Sequence, residues 1–402
     1  MIDIKDKKDC CGCSACVQIC PKHCIHMVAD NEGFLYPQVD TTVCINCGLC
    51  EKVCPVINQN EPREPLAVYA AKINNDEIRI KSSSGGIFTL LAEKIINEGG
   101  VVFGAKFNKN WDVVHDYTET INGLEAFRGS KYVQSIIGDN FKIAKQFLND
   151  GRKVLFSGTP CQIAGLKRYL QKEYNNLLTI DIICHGVPSI SIWGKYKNKV
   201  KQLASYSCRD FASTNNKLST LNDINFRDKT NGWKHYMCTY SIVNVSSNQT
   251  NRLTFEHTKD PYMQLFLSNY SLRPSCYYCP AKAGKSLSNM TLGDCWGIKR
   301  MENSFDDNKG VGVCVIHNNN ELLDIVLRES QCVILPSNYL NHFNRSYYIS
   351  SSAPNNRQAF YDEFLRTDDI MSLAKLFAPP KRRIKNIIDR IIRMIKRTLY
   401  NF

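Results

Sequence analysis

The chain has 402 residues, 43% hydrophobic and 22% charged, an ordinary globular composition with enough length for two or three domains. Its formal net charge is +13, but seven of those charges fall in residues 381–402. The body is therefore only mildly basic, and with no helix-turn-helix, zinc-finger or single-strand-binding signature it is not expected to bind nucleic acid. The chain opens Met1-Ile2-Asp3-Ile4-Lys5-Asp6, with no signal peptide and no apolar run of transmembrane length. Its nineteen cysteines are then expected to be reduced thiols of a cytoplasmic protein, and a disulfide-stapled secreted class is excluded.

Taken in chain order, the first feature is a repeated cysteine run. Cys10, Cys13, Cys16 and Cys20-Pro21 follow the pattern C-x-x-C-x-x-C-x-x-x-C-P, and Cys44, Cys47, Cys50 and Cys54-Pro55 repeat it thirty-four positions later. Such a run wraps three thiolates round one iron-sulfur cube and sends the fourth to a second cube. The spacing predicts two [4Fe-4S] clusters with crossed ligation, one on Cys10, Cys13, Cys16 and Cys54, the other on Cys44, Cys47, Cys50 and Cys20. Small Gly12, Ser14, Ala15 and Gly48 allow the backbone to curl round a cube, and Val17, Ile19, Val53 and Val56 supply a dry shell. A tetrahedral zinc site would need only four ligands and has no use for two crossed sets. Cys11 and Cys24 fall outside both sets and read as free thiols.

Between the runs, residues 25–28 and 34–36 flank the turn Asp30-Asn31-Glu32-Gly33 as a hairpin, which completes a ferredoxin-like module over residues 1–60. A polar linker with Pro62 and Pro65 follows. From residue 67 strands (68–71, 101–103, 154–156, 178–183) alternate with helices (86–97, 141–148, 162–170), which predicts an α/β body with a largely parallel sheet. After about residue 205 the order loosens to an α+β continuation with strands at 224–226 and 237–243 and a helix at 262–269. The body divides at about residue 150 into parts spanning 67–150 and 151–345. A helical tail, 346–402, ends in a basic amphipathic helix over 381–402. There Ile384, Ile387, Ile388, Ile391, Ile392, Ile395 and Leu399 share one face, so the helix is expected either to rest on the inner membrane surface or to pack on protein.

Three further constellations can carry chemistry. Lys81-Ser82-Ser83-Ser84-Gly85-Gly86 precedes a helix and suits a phosphate or pyrophosphate, or is simply a Ser N-cap with a flexible lead-in. Gly158-Thr159-Pro160-Cys161-Gln162 and Cys184-His185-Gly186 each follow a buried strand. Their cysteines face one crevice or pack as small hydrophobes, and the helix start at Cys161 favours a lowered thiol pKa. Cys276-Tyr277-Tyr278-Cys279-Pro280 lacks a partner pair nearby. With Cys161 and Cys184 it makes four thiolates, enough for a third [4Fe-4S] cluster or a structural zinc. Cys208, Cys238, Cys295, Cys314 and Cys332 read as core residues. Ala283-Gly284-Lys285-Ser286 lacks the earlier glycine of a phosphate-binding loop.

These pieces, with Gly129-Ser130-Lys131-Tyr132-Val133-Gln134-Ser135 and Gly293-Asp294-Cys295-Trp296-Gly297, resemble in joint order the family of coenzyme F420 hydrogenase/dehydrogenase beta subunits over residues 10 to about 300. The resemblance implies an iron-sulfur flavoprotein that passes electrons between ferredoxin-type clusters, FAD and a two-electron partner. It makes Ser84, Gly85 and Gly86 contacts of the FAD pyrophosphate, Lys131 and Tyr132 flavin-pocket residues, and the four body cysteines a third cluster site. Cys295 departs from the aromatic residue common in the family and is not counted as a ligand. Bacterial relatives occur among surface-polysaccharide genes, so the acceptor is an unidentified small or sugar-linked molecule and a deazaflavin is not specifically implied.

The reading is thus an FAD- and [4Fe-4S]-dependent oxidoreductase fed by a ferredoxin or another low-potential donor, since clusters move single electrons and a flavin converts them to pairs. His185 is the proton-donor candidate, against the alternative of a packed core histidine. A non-catalytic electron-transfer subunit serving a separate enzyme is the alternative function, and a zinc-stabilised scaffold a third.

Overall fold

The computed structural model describes residues 1–206, 219–244, 248–318 and 320–378. The basic helix expected over 381–402 lies outside the described residues, as does Cys208.

The amino-terminal module consists of α1 (Ala15–Ile19), the hairpin β1 (Ile25–Ala29) and β2 (Leu35–Val39), and α2 (Leu49–Lys52). The hairpin is antiparallel, pairing Ile25 with Val39 and Ala29 with Leu35. Its turn is tied down because Asp30 Oδ1 accepts from the backbone N–H groups of Glu32 (3.0 Å) and Phe34 (2.9 Å).

The chain then alternates through β3 (Ala67–Ile73), α3 (Asp76–Lys81), α4 (Ile87–Asn97), β4 (Val101–Phe107), β5 (Val113–Thr118), α5 (Asn140–Asn149), β6 (Val154–Gly158), α6 (Pro160–Leu170), β7 (Leu177–Ile182) and α7 (Ile190–Tyr206). A meander, β8 (Ser219–Asp228), β9 (Met237–Asn244) and β10 (Thr250–Glu256), forms a separate three-stranded antiparallel sheet, followed by α8 (Pro261–Leu267). The chain returns as β11 (Met290–Asp294), β12 (Gly312–Ile316), α9 (Asn320–Glu329) and β13 (Ser330–Ile334), and the described part closes with α10 (Arg357–Arg366) and α11 (Ile370–Phe377).

The main sheet has eight strands in the order β13-β3-β12-β11-β7-β6-β4-β5, drawn from both sides of residue 150. It is mixed, which corrects the expectation of a largely parallel sheet. Only the central β4, β6, β7 and β11 run parallel, while β5 on one side and β12, β3 and β13 on the other are antiparallel. The central strands read as continuous apolar runs because helices cover both faces. Val154, Leu155 and Phe156 are completely buried.

Cys11, Cys13, Ala15 and Val53 share one hydrophobic cluster with Phe141, Phe156, Ile163 and Leu166, so the module is packed onto α5 and α6. Polar groups fix the docking. Gln18 Oε1 accepts from the N–H groups of Phe141 (3.0 Å) and Lys142 (3.3 Å), capping α5 from across the interface, and the Arg357 guanidinium forks onto the Glu32 carboxylate.

The turn before α4 lies directly on the sheet. A Cβ on Gly85 would stand 2.1 Å from the Ala71 carbonyl oxygen and 2.7 Å from the Gly312 nitrogen, both backbone atoms held in strand pairing. Gly85→Ala is therefore expected to destabilise the fold by about 3 kcal/mol, seen as a lowered unfolding midpoint. An unchanged midpoint would show that the turn can lift off the sheet.

Candidate iron-sulfur sites and redox cavity

The structure brings the module's cysteines together in crossed groups. Cys10, Cys13, Cys16 and Cys54 line one cavity, with about 340 Å³ of empty space. Cys20, Cys44, Cys47 and Cys50 line another of about 360 Å³. Left-handed backbone at Gly12 (φ 71°), Ser14 (φ 62°) and Gly48 (φ 74°) makes the tight curls. Those curls and the neighbouring turns aim N–H groups at sulfur: Ala15 at Cys13, Val17 at Cys16, Lys22, His23 and Cys24 at Cys20, Val56 and Ile57 at Cys54, and Ile2 at Cys50 (3.2 Å). All-sulfur donors, amide hydrogen bonds and apolar walls fit a [4Fe-4S] cube.

The two groups differ in exposure. Cys13 is buried toward the body, whereas Cys47 is exposed, with Val43 and Ile45 also exposed beside it. Cys24, read from sequence as an isolated thiol, is buried with its sulfur 3.4 Å from that of Cys20 and lines the same cavity. Its C-x-x-x-C spacing from Cys20 was the available signal.

The four body cysteines also come together. Burial first, and the neighbouring Cys161 and Cys279 thiols after it, push the Cys184 thiol up to about 12 against the pull of Lys282. Cys276 is raised in the same way, by burial and then by Cys184. Amides again face sulfur, from Val187 to Cys276 (3.4 Å), Gly186 to Cys184 and Ala281 to Cys279. The lowered thiol pKa expected for Cys161 is corrected. The adjacent Cys11 thiol and burial hold it well above the usual range, and these outweigh the first turn of α6. Cys161 therefore touches the module through Cys11 on one side. On the other its sulfur is 3.3 Å from Thr159 Oγ1, which belongs to the wall of a larger cavity.

That cavity is an open cleft of about 1430 Å³, its solvent-filled mouth included, at the carboxyl ends of the central strands, bounded by Gly158, Ile182 and Asp294. Ser84, Gly85 and Gly86 line it, as do Lys131 and Tyr132. No side chain caps α4, so its first N–H groups remain available for an anion. The two glycines serve packing more than ligand approach. Gly85 is pressed on Ala71, and Gly86, at φ 87°, would drive a Cβ to 2.6 Å from Ile73 Cδ1. Lys131 Nζ donates to the Arg128 carbonyl (2.8 Å), and burial lowers its pKa to about 7. Arg227 Nη1 pairs with Asp294 (2.6 Å) and reaches Tyr132 Oη at 3.4 Å.

His185 is not in this wall. Its ring packs edge-on against Phe266, and Nε2 meets Asn269 Oδ1 at 2.7 Å, the arrangement of a packed histidine. The histidine that lines the cavity is His115, which sequence reasoning missed because β5 was not recognised. Its Nε2 donates to the Ser157 carbonyl (3.0 Å), so Nδ1 accepts from the Ser135 hydroxyl (2.9 Å), which in turn accepts from Gln162 Nε2 (2.9 Å). Burial holds its pKa down at about 4, and the ring is neutral at physiological pH.

Residues 9–58 match the 4Fe-4S dicluster domain, and residues 151–326 match the carboxyl-terminal domain of the coenzyme F420 hydrogenase/dehydrogenase beta subunits. The second half of the chain is thus similar to the coenzyme F420 hydrogenase/dehydrogenase beta subunits, and its start to dicluster ferredoxins. The chain is 24% identical over 189 residues to an F(420)H(2) dehydrogenase subunit of Methanosarcina mazei, covering 44% of this chain and 53% of that protein. A 7Fe ferredoxin of Hydrogenibacillus schlegelii is 49% identical over 43 residues, 11% of this chain and 49% of the ferredoxin. The chain thus spans about half the length of these curated relatives. A chain in the F420-reducing [NiFe] hydrogenase complex of Methanosarcina barkeri aligns over 77% of this chain and 92% of its own at 14% identity, with a TM-score of 0.43, too loose to carry an argument. With a dicluster domain joined to that carboxyl-terminal domain, the chain is related to iron-sulfur electron-transfer subunits of the F420 hydrogenase/dehydrogenase type. No helix among the described residues is long and apolar enough to cross a membrane.

Proposed function

We propose that this chain is an FAD-dependent oxidoreductase in which electrons from a ferredoxin or similar low-potential donor pass through three [4Fe-4S] clusters to a flavin in the large cavity. A two-electron acceptor, small or sugar-linked, would take them from there. The observation that carries the reading is the position of Cys161, which touches Cys11 of the module on one side and Thr159 of the cavity wall on the other. Exposed Cys47 marks the side where electrons enter.

FAD, when bound, would exchange single electrons with clusters and pairs with a substrate. The chain's own groups suit it. The uncapped start of α4 and the Ser83–Gly86 amides offer donors to a pyrophosphate, and Lys131 supplies a cation from within the wall. The Thr159–Gln162–Ser135–His115 hydrogen-bond chain keeps the wall beside Cys161 rigid. A second reading, a non-catalytic subunit that delivers electrons to another enzyme, is favoured by the name of the Methanosarcina mazei relative, a dehydrogenase subunit. Turnover of a small acceptor by the isolated chain separates the two.

Flavin binding has a pH signature. With burial holding ligand-free Lys131 near 7, the ammonium that attracts the pyrophosphate is complete below that pH and lost above it. FAD affinity is expected to fall as pH rises through 7, by at most about tenfold per unit, in a fluorescence titration. Lys131→Met should bind more weakly with a flat profile. A flat profile for the unaltered chain would remove Lys131 from the site, and absence of FAD from anaerobically purified protein, with none taken up on titration, would remove the flavin reading.

A further inference from the structure

Arg273 stands apart from the other buried arginines. Arg79 and Arg227 each meet a carboxylate, of Asp307 and Asp294 respectively. Arg273 is 0% exposed, and among the described residues no carboxylate lies within ion-pair distance of it. Its partners are neutral or sulfur. Nε donates to the Cys10 carbonyl (2.7 Å), Nη2 to the Leu35 carbonyl (2.9 Å), and Nη1 to Gln134 Oε1 (3.2 Å). Nη2 also stands 3.5 Å from Cys10 Sγ. The guanidinium carbon sits 4.3 Å from the Tyr36 ring centroid and 5.5 Å from that of Phe34.

A fully buried, permanently charged group with no anion is strongly unfavourable, so the fold must supply the negative charge elsewhere. The sulfur that stands against it is that of Cys10, one of the four thiols lining the nearer cluster cavity. Four thiolates round an iron-sulfur cube make a net anion that gains one more negative charge on reduction. This rests on the reading that Cys10, Cys13, Cys16 and Cys54 hold such a cube. Nothing comparable faces the other group of the module. Around Cys20, Cys44, Cys47 and Cys50 the nearby cations are exposed Lys22 and the amino terminus, which is itself paired with Glu51 at 3.4 Å. Water screens those charges, whereas a buried guanidinium acts through a medium of low dielectric constant.

We propose that Arg273 is the built-in counter-ion of the cluster on Cys10, Cys13, Cys16 and Cys54. By stabilising its reduced form, Arg273 holds its potential above that of the cluster on Cys20, Cys44, Cys47 and Cys50. Electrons arriving at the exposed cluster are thereby drawn toward the body. Arg273 acts on the cluster and touches no substrate, so it is a positioning and tuning residue.

The test is an anaerobic EPR redox titration of the full chain and three variants, with signals assigned by cysteine substitution. Arg273→Gln removes the charge. Gln134→Glu leaves the arginine in place and sets a carboxylate against Nη1, so it decides the matter should Arg273→Gln fail to fold. Both are expected to shift electron partition between the two clusters at least tenfold toward the exposed one, a 59 mV fall for a one-electron couple, with the exposed cluster's own potential unchanged. Arg273→Lys should retain most of the wild-type separation. Unshifted potentials in Arg273→Gln and Gln134→Glu, at full iron content, would overturn the role of Arg273. A wild-type chain with no [4Fe-4S] signals would instead overturn the cluster reading beneath it.

Discussion

Cys20→Ala alone is expected to leave two clusters in the amino-terminal module, and Cys20→Ala with Cys24→Ala to leave one. The spacing of the two runs assigns Cys20 to the cube otherwise held by Cys44, Cys47 and Cys50, and the structure places those four sulfurs round one cavity. The same cavity is lined by Cys24, buried and 3.4 Å from Cys20 at the sulfurs, so a substitute thiolate already stands at the vacated corner. Only the double substitution removes the fourth ligand. It should cost about four irons and abolish the EPR signal of the exposed cluster while sparing the one on Cys10, Cys13, Cys16 and Cys54. Loss of that spared signal instead would show that the ligand sets are not crossed. Full iron in the double variant would show that Cys20 is not a ligand.

The largest functional effect is expected from Cys276→Ala. The unaltered chain, fully loaded, should carry about twelve irons, and the variant about eight, with both module signals intact. Because Cys161, one of the four, touches both the module and the cavity wall, a reduced donor should still reduce the module clusters of the variant but bleach the proposed flavin at least about a hundredfold more slowly. Stopped-flow absorbance follows both events in one mixing experiment. A wild-type preparation that saturates at eight irons, or a variant whose flavin bleaches at the wild-type rate, would sink the third cluster.

The parts of this architecture written in local patterns are legible in the residues alone. The cysteine runs need only their spacing, and α4, α6, β6 and β7 announce themselves by apolar periodicity. Long-range features do not. In α7 the buried face of Ile192, Trp193, Tyr196 and Val200 is interleaved with Lys195, Lys197, Lys199 and Lys201, which masks it. β11, Met290-Thr291-Leu292-Gly293-Asp294, has little intrinsic strand preference and exists because it pairs with β7 and β12. Strand direction, on which the parallel expectation fails, is set by connections that composition does not encode. The Gly85-Gly86 pair stands out in the sequence, but the close approach it allows is mainly to neighbouring backbone and side chains of the sheet. Arg273 gives no local signal at all, because its meaning comes from Cys10, 263 positions earlier in the chain.

The side-chain cap that Gln18 places on α5 has a kinetic consequence. Many multi-centre redox proteins swing a small carrier domain between docking stations, and their turnover then slows in thick solvents as the swing is damped. Here the small module is bonded into the helix layer of the larger one and shares its core, so it has no station to leave. Separations between the cysteine groups are those of a solid. Hops between them depend on distance and potential, and glycerol or sucrose should slow only the arrival of outside reactants.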